Sequence, residues 1–338
     1  MSDVFTDVFA LARRLIDIPS VSGDEGAVMA EVARLLERRG YRVESVDAVP
    51  GRPNVFAAVG EPRIVLSTHL DTVPPFVPST ENAEHIYGRG ATDAKGIAAA
   101  QMVAADALRK DGLEDVGLLF VVDEEVASVG ARAANRHPWA ASCRYLINGE
   151  PTENQLAVAA KGSLQVEIRT TGTGGHAAYP ERGRSAVHEL LAVLDELRRA
   201  DWPSEEVFGK TTLNIGKISG GSAPNVLAPE AHALMQFRCA ADTDRVLTRL
   251  REVVGTRASI EVGSATPPMR LKAMGDLPTC VVAYTTDIPH LSAWGTPLLF
   301  GPGSIADAHM PNERIAKADL VAGVARYIGL VRSLFTST

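Results

Sequence analysis

The chain has 338 residues, of which 46% are hydrophobic and 22% charged, and its formal net charge is −7. This length predicts about two domains, and the balanced composition excludes an intrinsically disordered chain. The acidic balance argues against nucleic acid or an anionic membrane as a partner, because both attract basic proteins. The sequence contains no run of about 18 apolar residues, so we expect no membrane span.

Cysteine content and the N-terminal segment indicate the compartment. Cys143, Cys239 and Cys280 are far apart and form no C-x-x-C pair. Their odd number and spacing are typical of unpaired, buried thiols in a reducing compartment. The first twenty residues lack the basic start and the unbroken apolar run of a signal peptide. We therefore expect a cytoplasmic protein.

Helical and strand patterns alternate in the first half of the chain. Apolar spacing predicts a helix that ends before Pro19, a second helix that ends at Gly40 and an Ala-rich helix over about 94–110. Short strands are predicted over residues 42–46, 55–59, 64–68, 116–122 and 145–147. Helices that alternate with short apolar strands predict an α/β fold, with a mixed sheet covered by helices on both faces.

The pattern changes after Gly162. Four strands and two helices are predicted in the order β-α-β-β-α-β, over residues 164–170, 186–199, 211–218, 231–238, 244–254 and 259–262. That order is typical of a ferredoxin-like α+β unit of about 100 residues. Strands at 281–284 and 297–300 and a helix at 317–334 then return to the first pattern. We predict one domain from residues 1–161 and 270–338, interrupted by an inserted domain at 162–269.

Histidine and acidic residues follow the predicted strands, where α/β sheets bind their ligands. His69 and Asp71 alternate along an extended segment, so both side chains point to the same side. A histidine beside a carboxylate is typical of a metal ligand and the group that orients it. A buried structural histidine is an equal alternative for this segment taken alone.

Further candidate ligands come from four other segments. Asp93 precedes the Ala-rich helix, where capping the helix is the commoner role of Asp. Glu124 and Glu125 belong to a run of three carboxylates after an apolar strand, which repel one another unless cations neutralise them. A solvated loop is the alternative for this run. Glu150 follows the next strand, and His309 follows a Gly/Pro turn near the C-terminus.

Arg238 ends an apolar strand of the inserted domain. An unpaired guanidinium there would be costly, and the α-carboxylate of a substrate is a natural bidentate partner. A structural salt bridge is the alternative. The position therefore suggests, without requiring it, a substrate that carries a free carboxylate.

Taken together and in this order, five segments resemble the co-catalytic zinc peptidase family that includes acetylornithine deacetylase, succinyl-diaminopimelate desuccinylase and carboxypeptidase G. The segments are GRGATDAKG, VVDEEVASVGA, INGEPT, TGTGGHAAYP and GPGSIADAH. The resemblance spans nearly the whole chain, and the last segment looks most like acetylornithine deacetylase. One departure is Thr68, where the family usually has Gly before the histidine, but this change removes no ligand.

The resemblance implies a zinc-peptidase-like catalytic domain with an inserted dimerisation or lid domain. It also implies two Zn²⁺ ions per chain, for which Co²⁺ can substitute. One ion would be held by His69, Asp93 and Glu150, and the other by Asp93, Glu125 and His309. Asp93 would then bridge the two ions.

The same resemblance assigns the remaining roles. Glu124 would be the general base, and Asp71 would orient His69. Contacts to the substrate would come from the inserted domain, from His176, Asn225 and Arg238. His176 would reach the metals of a partner subunit across a homodimer.

The reaction expected from this resemblance is the removal of an acyl group, acetyl in the first instance, from the nitrogen of an amino acid. N-acetylornithine or a related N-acyl amino acid would be the small-molecule substrate, in amino-acid biosynthesis. A dipeptidase or carboxypeptidase of the same architecture is the alternative, because the acyl pocket alone separates the two. A non-catalytic amino-acid-binding relative is a third possibility, although no expected ligand is missing.

Overall fold

A computed structural model describes residues 4–274 and 276–336. Within these residues the α-helices are α1 (Val8–Ile16), α2 (Gly26–Arg38), α3 (Lys95–Lys110), α4 (Val129–Ala134), α5 (Ala186–Arg199), α6 (Thr243–Val254) and α7 (Lys317–Thr336). The longer strands are β1 (Arg42–Val49), β2 (Arg52–Ala58), β3 (Ile64–His69), β4 (Val116–Val121), β5 (Tyr145–Asn148), β6 (Leu156–Ala160), β7 (Gly162–Thr171), β8 (Thr212–Gly220), β9 (Glu230–Cys239), β10 (Ser259–Thr266), β11 (Thr279–Val282) and β12 (Thr296–Leu299). Strands of two or three residues are Thr80–Glu81, His85–Tyr87, Gly175–His176, Ser204–Glu205, Gly209–Lys210, Val226–Leu227, Met269–Arg270 and Arg314–Ala316.

The chain divides into two compact units. The larger unit comprises Met1–Val158, Leu271–Cys280 and Thr286–Thr338, and the smaller unit comprises Ala159–Arg270 and Val281–Thr285. The predicted α/β fold with an inserted α+β unit is confirmed. The dimerisation or lid role assigned to residues 162–269 stays a prediction.

The larger unit is built on a mixed sheet with the order β1-β2-β4-β3-β5-β12-β6. Strands β4, β3, β5 and β12 are neighbours and run parallel. Strands β1, β2 and β6 join antiparallel. Because neighbouring parallel strands end at the same edge, the segments that follow these four strands meet there. We call this the C-terminal edge of the sheet.

Alternate residues of the sheet pack into separate cores on its two faces. On one face, residues such as Val55 and Leu66 join the core formed with helices α1, α2, α3 and α7. On the other, Phe56 and Val65 pack with helix α4 and Trp294. Burial on both faces explains why β3 and β4 are buried at every residue instead of at alternate ones.

The smaller unit is a four-stranded antiparallel sheet with the order β8-β9-β7-β10. Helices α5 and α6 cover one face, where Val166, Leu194 and Phe237 are buried in a common core. This is the predicted ferredoxin-like arrangement. On the other face of this sheet, Leu234 is exposed.

Some boundaries differ from the sequence predictions. Strand β6 and helix α4 were not predicted, because they are only five and six residues long and rich in alanine. The strand predicted at 281–284 lies earlier, at β11. Its position is set by pairing with β6, because the backbone oxygen of Pro278, just before β11, accepts a hydrogen bond from the backbone N–H of Leu156 at 2.8 Å.

In the described part of the chain, no helix is long and apolar enough to cross a membrane. Cys143 and Cys239 are buried free thiols as predicted, whereas Cys280 is a free thiol that is only partly buried. The predicted cytoplasmic location stays a prediction.

Candidate active site

The C-terminal edge of the larger unit collects the predicted metal ligands. Strand β3 ends on His69, whose strand neighbour is the last residue of β4. Glu124 and Glu125 follow β4, and Glu150 follows β5. The segment after β12 brings His309, which adopts a φ of +61°. Each strand therefore delivers its polar side chain to the same place.

A first group of possible ligands consists of His69, Asp93 and Glu150, which are all buried. Their ligand atoms lie within 4.8 Å of one another. His69 Nε2 is 3.0 Å from Asp93 Oδ1, and Glu150 Oε1 has no hydrogen-bond partner among the described residues. A buried carboxylate oxygen without a partner is costly, so this group fits a bound cation.

A second group consists of Asp93, Glu125 and His309, with the same spread of ligand atoms. His309 Nε2 is 2.9 Å from Glu125 Oε1 and 3.3 Å from Asp93 Oδ2. Asp93 thus faces the first group with Oδ1 and the second with Oδ2. The capping alternative for Asp93 is wrong, because Ala94 occupies the N-cap position of α3 and no side chain caps the helix.

Burial and neighbouring charges shift the pKa values of the side chains at this edge. Burial is the largest cause that raises the pKa of Glu124 and of Glu150 well above the usual value of a carboxyl group. Hydrogen bonds to Asp93 and Glu125 raise the pKa of His309 to about 10. Carboxylates gathered in a buried place are stable only when positive charge is close. The donor set therefore fits two divalent cations.

Asp71 connects the loops that follow β3 and β4. Its backbone oxygen is 3.0 Å from Nδ1 of His69, and its Oδ1 is 3.4 Å from the same nitrogen. Its two carboxylate oxygens accept the backbone N–H groups of Glu124 at 3.0 Å and Glu125 at 3.2 Å. The side chain is placed to orient His69, as the resemblance implied, and it also holds both glutamates.

His176 and Asn225 lie side by side in the smaller unit. The short strands Gly175–His176 and Val226–Leu227 pair there, and Asn225 O accepts the backbone N–H of Ala177 at 2.9 Å. His176 is exposed, and its Nδ1 accepts a hydrogen bond from the backbone at 3.2 Å. Neither side chain belongs to the unit that holds the ligand groups, so their contact with a substrate stays a prediction.

Arg238 lies on the four-stranded sheet, at the end opposite to the one from which the loop with His176 leaves. The loop that carries His176 leaves β7 after Thr171, which pairs with Glu230, whereas Arg238 pairs with Ser163. At about 3.3 Å per residue, residues 230–238 span roughly 26 Å. The loop with His176 and the side chain of Arg238 are therefore attached to opposite ends of the sheet.

Asp287 and Glu313 are buried acids close to the site that the sequence analysis did not single out. Burial raises the pKa of Asp287 to about 7, and its charge contributes to the raised pKa of Glu124. Asp287 follows strand β11, so the rule that singled out the other strand ends would have found it. Glu313 is buried against the loop before α3, and nothing in the local sequence distinguishes it from a surface acid.

The chain is similar to peptidases over most of its length. The profile of the peptidase dimerisation domain matches residues 158–261, and that of peptidase family M28 matches residues 54–179. A peptidase M20 domain-containing protein of Schizosaccharomyces pombe is 38% identical over 96% of this chain and 84% of its own length. A probable carboxypeptidase of Aspergillus terreus is 37% identical over 98% of this chain and 88% of its own length.

Solved structures share the fold. A tripeptidase from Staphylococcus aureus has a TM-score of 0.81 at 20% identity, over 97% of this chain and 98% of its own. An M20 family metallo-carboxypeptidase from Sulfolobus solfataricus has a TM-score of 0.75 at 16% identity, over 98% and 99%. A dinuclear metal binding peptidase of the M20 family from Bacillus subtilis has a TM-score of 0.69 at 15% identity, over 97% and 98%. The predicted family resemblance is confirmed, whereas the narrower likeness to acetylornithine deacetylase is not. This chain belongs to the M20 peptidase family.

Proposed function

We propose that this protein is a dinuclear metal-dependent peptidase that releases an amino acid with a free α-carboxylate, as a carboxypeptidase or dipeptidase does. The observation that carries the proposal is the shared Asp93, whose two oxygens face two separate groups of possible metal ligands. Glu124 directly precedes Glu125, a ligand of the second group, but belongs to neither ligand group itself. Ligands and base thus occur together at one sheet edge.

Zinc is the proposed metal, and cobalt is its expected substitute. The donors are two imidazoles and three carboxylates, which suit Zn²⁺ and leave positions open for water and substrate. His69, Asp93 and Glu150 would hold one ion, and Asp93, Glu125 and His309 the other. When bound, the pair would polarise the scissile carbonyl and lower the pKa of a water molecule.

Glu124 performs the proton transfers in this proposal. Its carboxylate takes a proton from the attacking water and passes it to the nitrogen of the leaving amino acid. Asp71 keeps this carboxylate in place by accepting the backbone N–H of Glu124. A single carboxylate can serve both steps, because it is ionised again once the proton has passed to the leaving nitrogen.

The smaller unit would supply the contacts to the substrate. Arg238 would bind the α-carboxylate through its guanidinium, and His176 and Asn225 would contact the amide that is cleaved. Since Arg238 and the His176 loop are attached to opposite ends of one sheet, we propose that they serve two different sites of a homodimer. The match of residues 158–261 to a peptidase dimerisation domain supports this assembly.

The narrower question is which acyl group the enzyme removes from the amino acid. Relatives named as probable carboxypeptidases favour an aminoacyl or peptidyl group. The GPGSIADAH segment favours the deacylation of an N-acyl amino acid such as N-acetylornithine, which breaks the same kind of bond. In both cases the released product is an amino acid with a free carboxylate.

A substrate screen tests the proposal. Protein loaded with Zn²⁺ or Co²⁺ is assayed with dipeptides, tripeptides, N-acetyl amino acids and N-succinyl amino acids, and each is also offered as its α-amide. We expect the largest kcat/KM for a peptide with a free α-carboxylate. A preference for N-acetyl amino acids would select the deacylase, and the absence of metal-dependent turnover on all four classes would refute the proposal.

A further inference from the structure

The loop that carries Asp93 is wrapped around one buried carboxylate. Oε1 of Glu313 accepts the backbone N–H groups of Gly90 at 3.0 Å, Thr92 at 3.2 Å and Asp93 at 3.2 Å. Its Oε2 accepts a hydrogen bond from Nη1 of Arg89 at 2.6 Å. Four donors of one short loop therefore converge on a single side chain.

The C-terminal segment brings Glu313 to this position. The short strand Arg314–Ala316 pairs antiparallel with His85–Tyr87, directly before the loop. The backbone oxygen of Glu313 also accepts the N–H of Gly88 at 3.0 Å. The same segment carries His309. One segment therefore supplies a proposed ligand and also binds the loop that carries Asp93, a second proposed ligand.

We propose that Glu313 is a positioning residue that fixes the carboxylate of Asp93 between the two ligand groups and thereby sets the affinity for both ions. This inference rests on the proposed function, in which Asp93 bridges two metals. The role is positional, because Glu313 bonds to the backbone of Asp93 and not to its carboxylate.

The physical reason is preorganisation of the loop. Gly90 has a φ of +88°, a conformation that glycine adopts freely, so this backbone has other states open to it. Bonds from the loop N–H groups to a charged acceptor are stronger than bonds to a neutral one. Without them, ion binding would have to order the loop, and that cost would lower the affinity.

Glutamine is an informative replacement at position 313. A carboxylate accepts from the loop on one oxygen and from Arg89 on the other. An amide of the same shape offers one acceptor and one donor, so its NH₂ group must face donors on one side. Aspartate at the same position keeps the charge but withdraws the carboxylate from the loop by one methylene.

Asp106 provides a matched control. It lies on helix α3, which begins where the loop ends. It is a buried acid of α3 that pairs with Arg39 at 3.1 Å, Arg109 at 3.1 Å and Lys110 at 2.9 Å. It lies eleven residues after Lys95, roughly 16 Å along the helix from the loop. Asp106→Asn therefore removes a comparable buried charge without touching the loop.

The experiment compares wild-type protein with Glu313→Gln, Glu313→Asp and Asp106→Asn. Each purified chain is stripped of metal and titrated with Zn²⁺ against a chromophoric chelator, and circular dichroism checks the fold. Hydrogen exchange is followed at the amides of Gly90, Thr92 and Asp93. We expect both Glu313 variants to bind zinc about 10- to 100-fold more weakly, with faster exchange at these amides. Asp106→Asn should bind zinc as wild type does, even where it lowers the melting temperature equally.

Three outcomes would overturn the proposal. Zinc affinity within twofold of wild type in a folded Glu313 variant would show that the loop needs no such support. An equal loss of affinity in Asp106→Asn would show a general effect of stability. Unfolding of both Glu313 variants would show that Glu313 is needed for folding and does not act by positioning Asp93. Failure of the wild-type chain itself to bind two zinc ions would instead refute the proposed function.

Discussion

The mixed sheet of the larger unit and the four-stranded sheet of the smaller unit distribute their polar side chains differently. The mixed sheet is buried on both faces, and its carboxylates and histidines gather beyond the ends of parallel strands. The four-stranded sheet buries one face under α5 and α6, and its candidate residues are attached at opposite ends.

This difference has a topological cause. Parallel neighbours all end at one edge, so a few residues after each strand suffice to build a convergent site. Antiparallel neighbours end alternately at the two edges, so polar residues at their ends diverge. The larger unit can therefore assemble both ligand groups alone, whereas we propose that the smaller unit contributes to two sites.

The largest expected effect concerns the residue shared by the ligand groups. Asp93→Ala should lose both metal ions and all measurable turnover, because each group loses a donor. Elemental analysis after equilibration with zinc measures the loss, with the exposed Asp24→Ala as control. Retention of one ion per chain would contradict this expectation by showing that the two ligand groups bind metal independently.

The proposed base comes next. Glu124→Ala should reduce kcat by roughly 10²- to 10⁴-fold, the usual contribution of a general base, while the metal content stays unchanged. Steady-state kinetics and elemental analysis on the same sample separate the two effects, and the exposed Glu114→Ala should behave as wild type. A loss below tenfold would remove Glu124 from this role.

A smaller effect is expected in the smaller unit. Arg238→Ala should raise KM for substrates with a free α-carboxylate by roughly 10- to 100-fold, the loss of a charge-assisted hydrogen-bonded pair, with little change in kcat. The same substrate as its α-amide should be nearly insensitive to the change. Equal losses on both substrates would argue against carboxylate binding by Arg238.

The smallest expected change is a partial recovery of activity, which tests whether the smaller unit serves two sites. Glu124→Ala and His176→Ala homodimers should each be nearly inactive. Exchange of their subunits should restore about a quarter of wild-type activity, because half of a random mixture is heterodimer with one intact site of two. Absence of recovery after verified exchange would mean that His176 acts within its own chain or has no catalytic role.

Much of the site could be predicted because most of its candidate residues follow strands of distinct pattern. His69, Glu124 and Glu150 come directly after apolar runs, and that position alone marked them as candidates. Asp93 was different, since a helix cap and a metal ligand look alike in sequence. The position of Ala94 at the N-cap and the contacts with His69 and His309 exclude the cap.

Glu313 and the second role of Asp71 could not be predicted. Both act through hydrogen bonds to backbone N–H groups of segments distant in the chain. Any sequence of the right conformation offers such groups, so no residue pattern records the contact. Only strand pairing, such as that of Arg314–Ala316 with His85–Tyr87, brings the donors and the acceptor together.

By itself, the sequence determined the type and order of most helices and longer strands, because apolar periodicity reflects burial on one face or two. It also located the change from an α/β to a ferredoxin-like pattern near Gly162. The candidate site residues come from the sequence as well, and their roles stay predictions. The tertiary structure alone decided that His309 and Glu125 approach to 2.9 Å and which oxygen of Asp93 faces each ligand group. Parallel strand order and loop wrapping set those distances, and both depend on contacts between residues far apart in the chain.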